Sequence, residues 1–361
     1  MSRLAPPRTF DILVVDDSEV VRQMLRAIIE EEPAFRVLVA GDPYEAVALM
    51  SRTAPAAIVL DIDMPRMDGL TFLRKLMRQH PLPVLLCTDH VQRGLSGLEL
   101  GALEVLGKPD WGEPHGLVAW GARLREGLRD AVGLSRDREE SSRSSEARHS
   151  ADVILPRMPY APRGAGGERL IAIGASTGGI QAIKRLLAGL PPQGPGVVIV
   201  QHMPRGFTAA FADRLNKDGE IPLPVIEARP NELIRPGMAL VVPGHAHGLV
   251  RRVGGGYRVE LVDGPPVCRH RPSVDVLFRS VAQAAGPWAA GVLLTGMGDD
   301  GARGLLEMHE AGAWTIAQDE ATSIVFGMPR EAIRRGAARQ VLPLDRIPAA
   351  LARWAGIPQP G

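Results

Sequence analysis

Short runs of consecutive apolar residues alternate along this chain with longer stretches in which apolar positions recur every three to four residues. That is the pattern of buried parallel strands separated by helices. In the first third, residues 12–15, 37–40, 57–60, 84–86 and 104–106 read as five strands. Ser18 is placed to cap a helix whose apolar positions are Val20, Val21, Met24, Leu25, Ile28 and Ile29. In the second part, residues 170–173, 197–200, 239–242, 257–261, 291–294 and 314–317 are strand candidates, and helical stretches follow Ser176, Thr208, Val274 and Asp300. The pattern predicts an α/β protein: a five-stranded doubly wound unit, then a second doubly wound unit with a mostly parallel sheet.

Between them the run SRDREESSRSSEARHS, residues 135–150, holds only serine, charged residues, one histidine and one alanine, too little apolar surface to offset the entropy of folding. With the Pro-, Gly- and Arg-rich run at 158–167 it reads as a linker, which gives domains at 9–130 and 168–357 and a flexible linker at 131–167. The 361 residues suit two domains, and 42 basic against 41 acidic residues leave a net charge of +1. No chain-wide basic field draws the protein to nucleic acid, and none is expected as a partner. Cys87 and Cys268 are the only cysteines and lie in separate segments, giving neither a disulfide framework nor a metal-binding pair. The first apolar run is too short for a signal-peptide core and no run reaches membrane-spanning length, so the expectation is a soluble, cytoplasmic protein with no direct membrane insertion.

Strand ends carry the candidate chemistry of the first unit. Asp16 and Asp17 follow the first strand, Asp61 the third, Thr88 the fourth and Lys108 the fifth. In an open parallel sheet these carboxyl ends converge on one crevice. Three carboxylates together repel one another and suit a hard divalent cation such as Mg²⁺, which accepts phosphate oxygens as further ligands. Asp61 then reads as a phosphoryl-accepting nucleophile, with the Thr88 hydroxyl and the Lys108 ammonium as groups that hold and neutralise the phosphoryl group. Helix capping by Asp16–Ser18 and an ordinary loop carboxylate at Asp61 are the plainer readings of each piece alone. The set of five at successive strand ends favours the chemistry.

In the second unit, residues 170–173 run into Gly174-Ala175-Ser176-Thr177-Gly178-Gly179, a Gly-x-Ser-x-Gly pattern at a strand-to-helix turn. Such a turn exposes a serine hydroxyl and aims helix N-terminal N–H groups at it. It also suits a bound nucleotide or phosphopeptide, which would make the protein a non-catalytic signalling adaptor. One strand-helix-strand unit later, residues 197–200 end in Gln201-His202, and residues 291–294 end in a loop that contains Asp299 and Asp300. Ser, His and Asp at three parallel strand ends are the components of acyl-transfer catalysis, and the residues alone leave Asp299 and Asp300 as alternatives. His245 and His247 read as loop residues with no third metal ligand in view, and Cys268 reads as a small packed residue.

The first-unit set, with the Met64-Pro65-Arg66-Met67-Asp68-Gly69 turn, resembles the receiver domain of two-component response regulators. IleGlyAlaSerThrGlyGly, GlnHisMetPro, the run from Gly264 to Phe278, LeuThrGlyMetGlyAspAspGly and ValPheGlyMetProArgGluAla resemble the chemotaxis protein-glutamate methylesterase family, CheB. The resemblance implies a flavodoxin-like receiver with Asp61 as phosphoacceptor, Asp17 and Asp61 as Mg²⁺ ligands beside Asp16, Thr88 and Lys108 as the phospho-switch pair, and a histidine kinase as phosphodonor. For the second unit it implies Ser176 as nucleophile, His202 as general base, Asp300 as its orienting carboxylate, and the Thr177 and Met297 N–H groups as oxyanion donors, with no cofactor. The implied activity is hydrolysis of glutamate γ-methyl esters on methyl-accepting chemoreceptors, with deamidation of receptor glutamines. The Thr88–Lys108 stretch is a few residues shorter than the resemblance leads one to expect.

Overall fold

The computed structural model describes residues 9–109, 114–133, 149–158 and 167–357. The chain forms two compact units, 1–145 and 146–361. In the first, strands β1 (Phe10–Val15), β2 (Phe35–Ala40), β3 (Ala57–Asp61), β4 (Val84–Cys87) and β5 (Glu104–Leu106) alternate with helices α1 (Glu19–Glu30), α2 (Pro43–Met50), α3 (Gly69–Gln79), α4 (Val91–Glu99) and α5 (Pro114–Ala131). The sheet is parallel in the order β2-β1-β3-β4-β5, so its connections change direction between β1 and β3. Its central strands are continuous apolar runs because helices cover both faces. In α1, Leu25, Ile28 and Ile29 are buried but Val20 and Met24 face outward, so the apolar stripe is wider than the core-facing side.

The second unit contains β6 (Leu170–Ala175), α6 (Gly179–Ala188), β7 (Gly196–Gln201), α7 (Phe207–Lys217), β8 (Val225–Glu227), β9 (Glu232–Ile234), β10 (Ala239–Val241), β11 (His247–Val253), β12 (Gly256–Val262) and α8 (Val274–Ala284). It continues with β13 (Ala289–Leu293), α9 (Ala302–Glu310), β14 (Trp314–Gln318), α10 (Met328–Arg334), β15 (Gln340–Leu342) and α11 (Ile347–Ala355). Seven strands form a parallel sheet in the order β15-β14-β13-β6-β7-β10-β8, and β11, β12 and β9 form a separate antiparallel sheet. The parallel sheet changes direction at β6, with β13 on one side and β7 on the other. No helix of the described residues is long and apolar enough to cross a membrane.

Two expectations are corrected here. Of the linker expected at 131–167, residues 134–148 and 159–166 lie outside the described residues, but residues 149–158 are packed on the second unit. Ala151 and Leu155 join Leu249, Val267 and Val276 in one buried apolar cluster, and the Arg279 guanidinium donates to Asp152 Oδ1 at 2.7 Å and to the Leu155 carbonyl at 2.9 Å. The apolar side chains among the polar ones in this stretch cover an edge of the core. His247, read as a loop residue, begins β11 and is fully buried.

Arg279 also donates to Glu307, with Nη2 2.7 Å from Oε1, and both side chains are buried. Glu307→Ala leaves a buried cation short of its main partner, which costs on the order of 3 kcal/mol. Urea unfolding of the full chain measures it, and a loss below about 0.5 kcal/mol, typical of a solvent-exposed pair, would contradict this assignment.

Candidate active site and phosphoacceptor pocket

In the first unit the change of direction brings the ends of β1 and β3 to one crevice. Asp16, Asp17 and Asp61 each present an oxygen within 4.8 Å of the others there. Lys108, after β5, reaches across with Nζ 3.1 Å from Asp61 Oδ1 and 3.6 Å from Asp16 Oδ2. Asp16 Oδ1 accepts the Ser18 N–H at 2.8 Å, and its buried Oδ2 has no hydrogen-bond partner. Burial pushes the Asp16 carboxyl above its ordinary value, and the Ser18 N–H only partly opposes this. Burial acts to lower the Lys108 ammonium, but Asp61 and Asp16 more than offset it and hold it above its usual range. A buried carboxylate oxygen without a hydrogen bond, beside two further carboxylates, is a hard-oxygen donor set that fits Mg²⁺.

Thr88 follows β4 and is buried, but its hydroxyl turns to a different neighbour. It accepts the His90 N–H at 3.1 Å and approaches Asp63 Oδ2 at 3.5 Å. Asp63 is gripped by Arg93 of α4, whose other guanidinium nitrogen reaches Asp68 Oδ1 at 3.0 Å. Sequence reading passed over Asp63 and Arg93; the signal was a fourth carboxylate two positions beyond Asp61.

In the second unit the register carries the argument. The last β6–β7 pair is Ala175 with Gln201, and the His202 N–H donates to the Ala175 carbonyl at 3.1 Å, so Ser176 and His202 leave neighbouring strands side by side. The Ser176 N–H donates to the Thr295 carbonyl at 3.1 Å, which ties the Ser176 turn to the loop after β13. A Cβ on Gly296 would lie 2.8 Å from Ser176 Cβ, so only glycine allows this approach. Gly178, at φ 78°, turns the chain into α6. Among the described residues, neither the Thr177 nor the Met297 N–H donates to any protein acceptor.

His202 and Asp300 form a buried pair, with Nε2 2.8 Å from Oδ2. Asp300, rather than Asp299, is therefore the carboxylate on the imidazole. Asp300 accepts three more hydrogen bonds from the start of α8: the Ser273 hydroxyl at 2.8 Å, the Val274 N–H at 2.7 Å and the Asp275 N–H at 2.9 Å. Burial alone would raise the Asp300 carboxyl, but the hydrogen bond to His202, the neighbouring His270 ring and the Asp275 N–H hold it below the usual carboxylate range. His202 Nδ1 is buried and has no partner among the described residues. The ring nitrogen left open is thus Nδ1, which makes no hydrogen bond to Ser176, a detail the sequence does not carry.

Other candidates are accounted for by packing. The Cys268 thiol is pushed up by burial and by the Asp300 and Asp275 carboxylates, which favours the protonated thiol over a nucleophilic thiolate. Burial, with Asp300 adding to it, pushes the Asp275 carboxyl up to about 7. His247 uses both nitrogens structurally, one accepting the Ser273 N–H at 3.2 Å and the other 3.0 Å from the Pro265 carbonyl. Sequence reading missed His270, whose ring stacks on His202 with centroids 3.7 Å apart.

Comparison with known proteins agrees with this layout. The CheB methylesterase family matches residues 171–351, and the response regulator receiver domain family matches residues 12–114. The chain is 53% identical over 352 residues to a protein-glutamate methylesterase/protein-glutamine glutaminase of Anaeromyxobacter dehalogenans, covering 96% of this chain and 97% of that one. It is 50% identical over 345 residues to one of Xanthomonas campestris, covering 93% and 97%. The crystal structure of the Thermotoga maritima CheB methylesterase catalytic domain is 36% identical, with a TM-score of 0.50, and matches 52% of this chain and 99% of that domain. The chain belongs to the CheB methylesterase family, with a response regulator receiver domain preceding its esterase domain.

Proposed function

We propose that the second unit hydrolyses glutamate γ-methyl esters on methyl-accepting chemoreceptors under the control of phosphorylation at Asp61. The observation that carries this reading is the buried Asp300–His202 pair standing beside Ser176 at the ends of β13, β7 and β6. Ser176 Oγ attacks the ester carbonyl and its proton passes to His202 Nδ1. Asp300 stabilises the imidazolium that results and keeps the ring in place. The Thr177 and Met297 N–H groups, unspent on any acceptor among the described residues, donate to the developing oxyanion. His202 then gives its proton to the departing methoxide, and methanol leaves. Water attacks the acyl-enzyme as His202 takes its proton, releasing the glutamate carboxylate and restoring Ser176. With a glutamine side chain the same acyl-enzyme forms and ammonia leaves.

In the receiver domain Asp61 accepts a phosphoryl group from a histidine kinase. Asp16, Asp17 and Asp61 would hold Mg²⁺, which supplies charge neutralisation for the phosphoryl oxygens when bound. Lys108 already bridges Asp61 and Asp16 and is placed to pair with the phosphoryl oxygens. Thr88 serves as the switch hydroxyl, leaving Asp63 for the phosphoryl group. The protein is assigned to the cytoplasm, where the receptor's signalling helices and the kinase meet it. A nucleotide- or phosphopeptide-binding adaptor, the other reading of the Gly174–Gly179 turn, finds no support in relatives named as methylesterases.

Methanol release from methyl-labelled receptor fragments tests the esterase. Ser176→Ala should lower it by at least about 10³-fold, and release that survives the substitution would overturn the assignment. A small-molecule phosphodonor should raise release by the wild type and leave Asp61→Asn at its basal rate; equal stimulation of both would sink the switch. Chelation of Mg²⁺ should likewise abolish the stimulation while the basal, Ser176-dependent rate persists, because the esterase site needs no cation.

A further inference from the structure

The imidazole of His202 is held at one edge by Asp300 and, among the described residues, by no hydrogen bond at the other. One such bond leaves the ring able to roll about its Cβ–Cγ axis, which would swing Nδ1 relative to Ser176. The missing constraint is a flat surface. His270 lies against the face of His202 with the rings 7° from parallel and 3.7 Å between centroids. His202, His270 and Asp300 also present nitrogen and oxygen atoms within 4.8 Å of one another. Parallel rings direct their in-plane lone pairs side by side rather than toward a common point, so the cluster is not built for a cation.

The segment that carries His270 is organised to present it. Val267 and His270 exchange both backbone hydrogen bonds, at 2.9 and 3.0 Å, around a two-residue turn made by Cys268 and Arg269. Both turn residues have positive φ, 48° and 68°, although neither is glycine. Such a conformation is disfavoured and persists only where the surroundings impose it. Here Val267 is fully buried with Ala151 and Leu155, and the Cys268 N–H donates to the His149 carbonyl at 3.1 Å. The Cys268 carbonyl lies 2.7 Å from His270 Nδ1, which therefore carries a proton and sets the plane of the ring.

We infer that His270 is a positioning residue for the general base, its flat ring fixing the roll of the His202 imidazole so that Nδ1 meets Ser176. The inference rests on the reading of His202 as general base. His270 touches neither the nucleophile nor the substrate carbonyl in this scheme and acts only through His202. Residues 149–155 seat the turn that carries it, so a stretch of sequence that reads as linker belongs to the catalytic apparatus.

Three variants of the full chain test this: His270→Ala, His270→Leu, which fills the space without a flat face, and His270→Phe, which restores one. Each is assayed for the rate of Ser176 acylation by p-nitrophenyl acetate, for kcat and KM of methanol release, and for melting temperature. Misplacement of a catalytic group costs about tenfold or more in rate, so Ala and Leu should lower kcat and the acylation rate by that factor with KM unchanged, and Phe should recover most of the loss. Leu keeps the comparison valid if Ala melts early. An unchanged acylation rate in Ala and Leu would overturn the inference, as would a Phe variant as slow as Leu. Acylation that follows this order in a chain releasing no methanol from receptor fragments would support the positioning role and overturn the methylesterase reading instead.

Discussion

A buried carboxylate placed at the start of a helix is the constraint on which the second unit depends. Asp300 lies on the loop before α9, yet its oxygens are spent on the Val274 and Asp275 N–H groups, the Ser273 hydroxyl and His202. Free N–H groups and the helix dipole at α8 favour an anion there, which is why the carboxyl stays ionised in surroundings that would otherwise protonate it. Take the charge away and two things go together. The helix start loses its acceptor, and the imidazole loses the partner that fixes its tautomer. Packing is arranged to permit this: a Cβ on Gly174 would lie 2.2 Å from Val274 Cγ1, so the glycine lets α8 press on β6 and bring its first turn to Asp300.

The two units solve the same topological problem with different chemistry. In each, a parallel sheet changes direction, between β1 and β3 in the first and at β6 in the second, and the crevice at that point holds the reactive side chains. In the receiver the crevice gathers like charges, three carboxylates with one lysine, and one carboxylate oxygen is left without a hydrogen bond among the described residues. In the esterase the Asp300 carboxylate is matched by His202 and by the start of α8, and the groups without hydrogen-bond partners among the described residues include the Thr177 and Met297 N–H groups and an imidazole nitrogen. An electron-deficient phosphoryl group suits the first and an acyl group that becomes an oxyanion suits the second.

Much of this was legible in the chain because central parallel strands are continuous apolar runs and their ends are abrupt. Asp16, Asp61, Lys108, Ser176 and His202 could be assigned to strand ends for that reason. What was not legible has physical causes. Strands β8 and β15 are three residues long and half-exposed at the sheet edges, so they carry no period. Helices α10 and α11 contain Pro329 and Pro348 in their first turns, where proline is tolerated although it reads as a break. The choice of Asp300 over Asp299 and of Nδ1 over Nε2 depends on which way side chains point from a loop. His270 faces His202 only because a strained turn, clamped by residues 149–155, brings it there.

Acylation of Ser176 depends most directly on the Asp300 carboxylate. The most direct measurement is the rate of Ser176 acylation by p-nitrophenyl acetate in Asp300→Asn against wild type at neutral pH, with melting temperature as a check on folding. The asparagine amide would turn N–H donors toward groups that are already donors and reverse the tautomer of His202. The rate should fall by about 10³-fold or more in a folded protein. A folded Asp300→Asn variant that acylates within a few-fold of wild type would contradict the central claim.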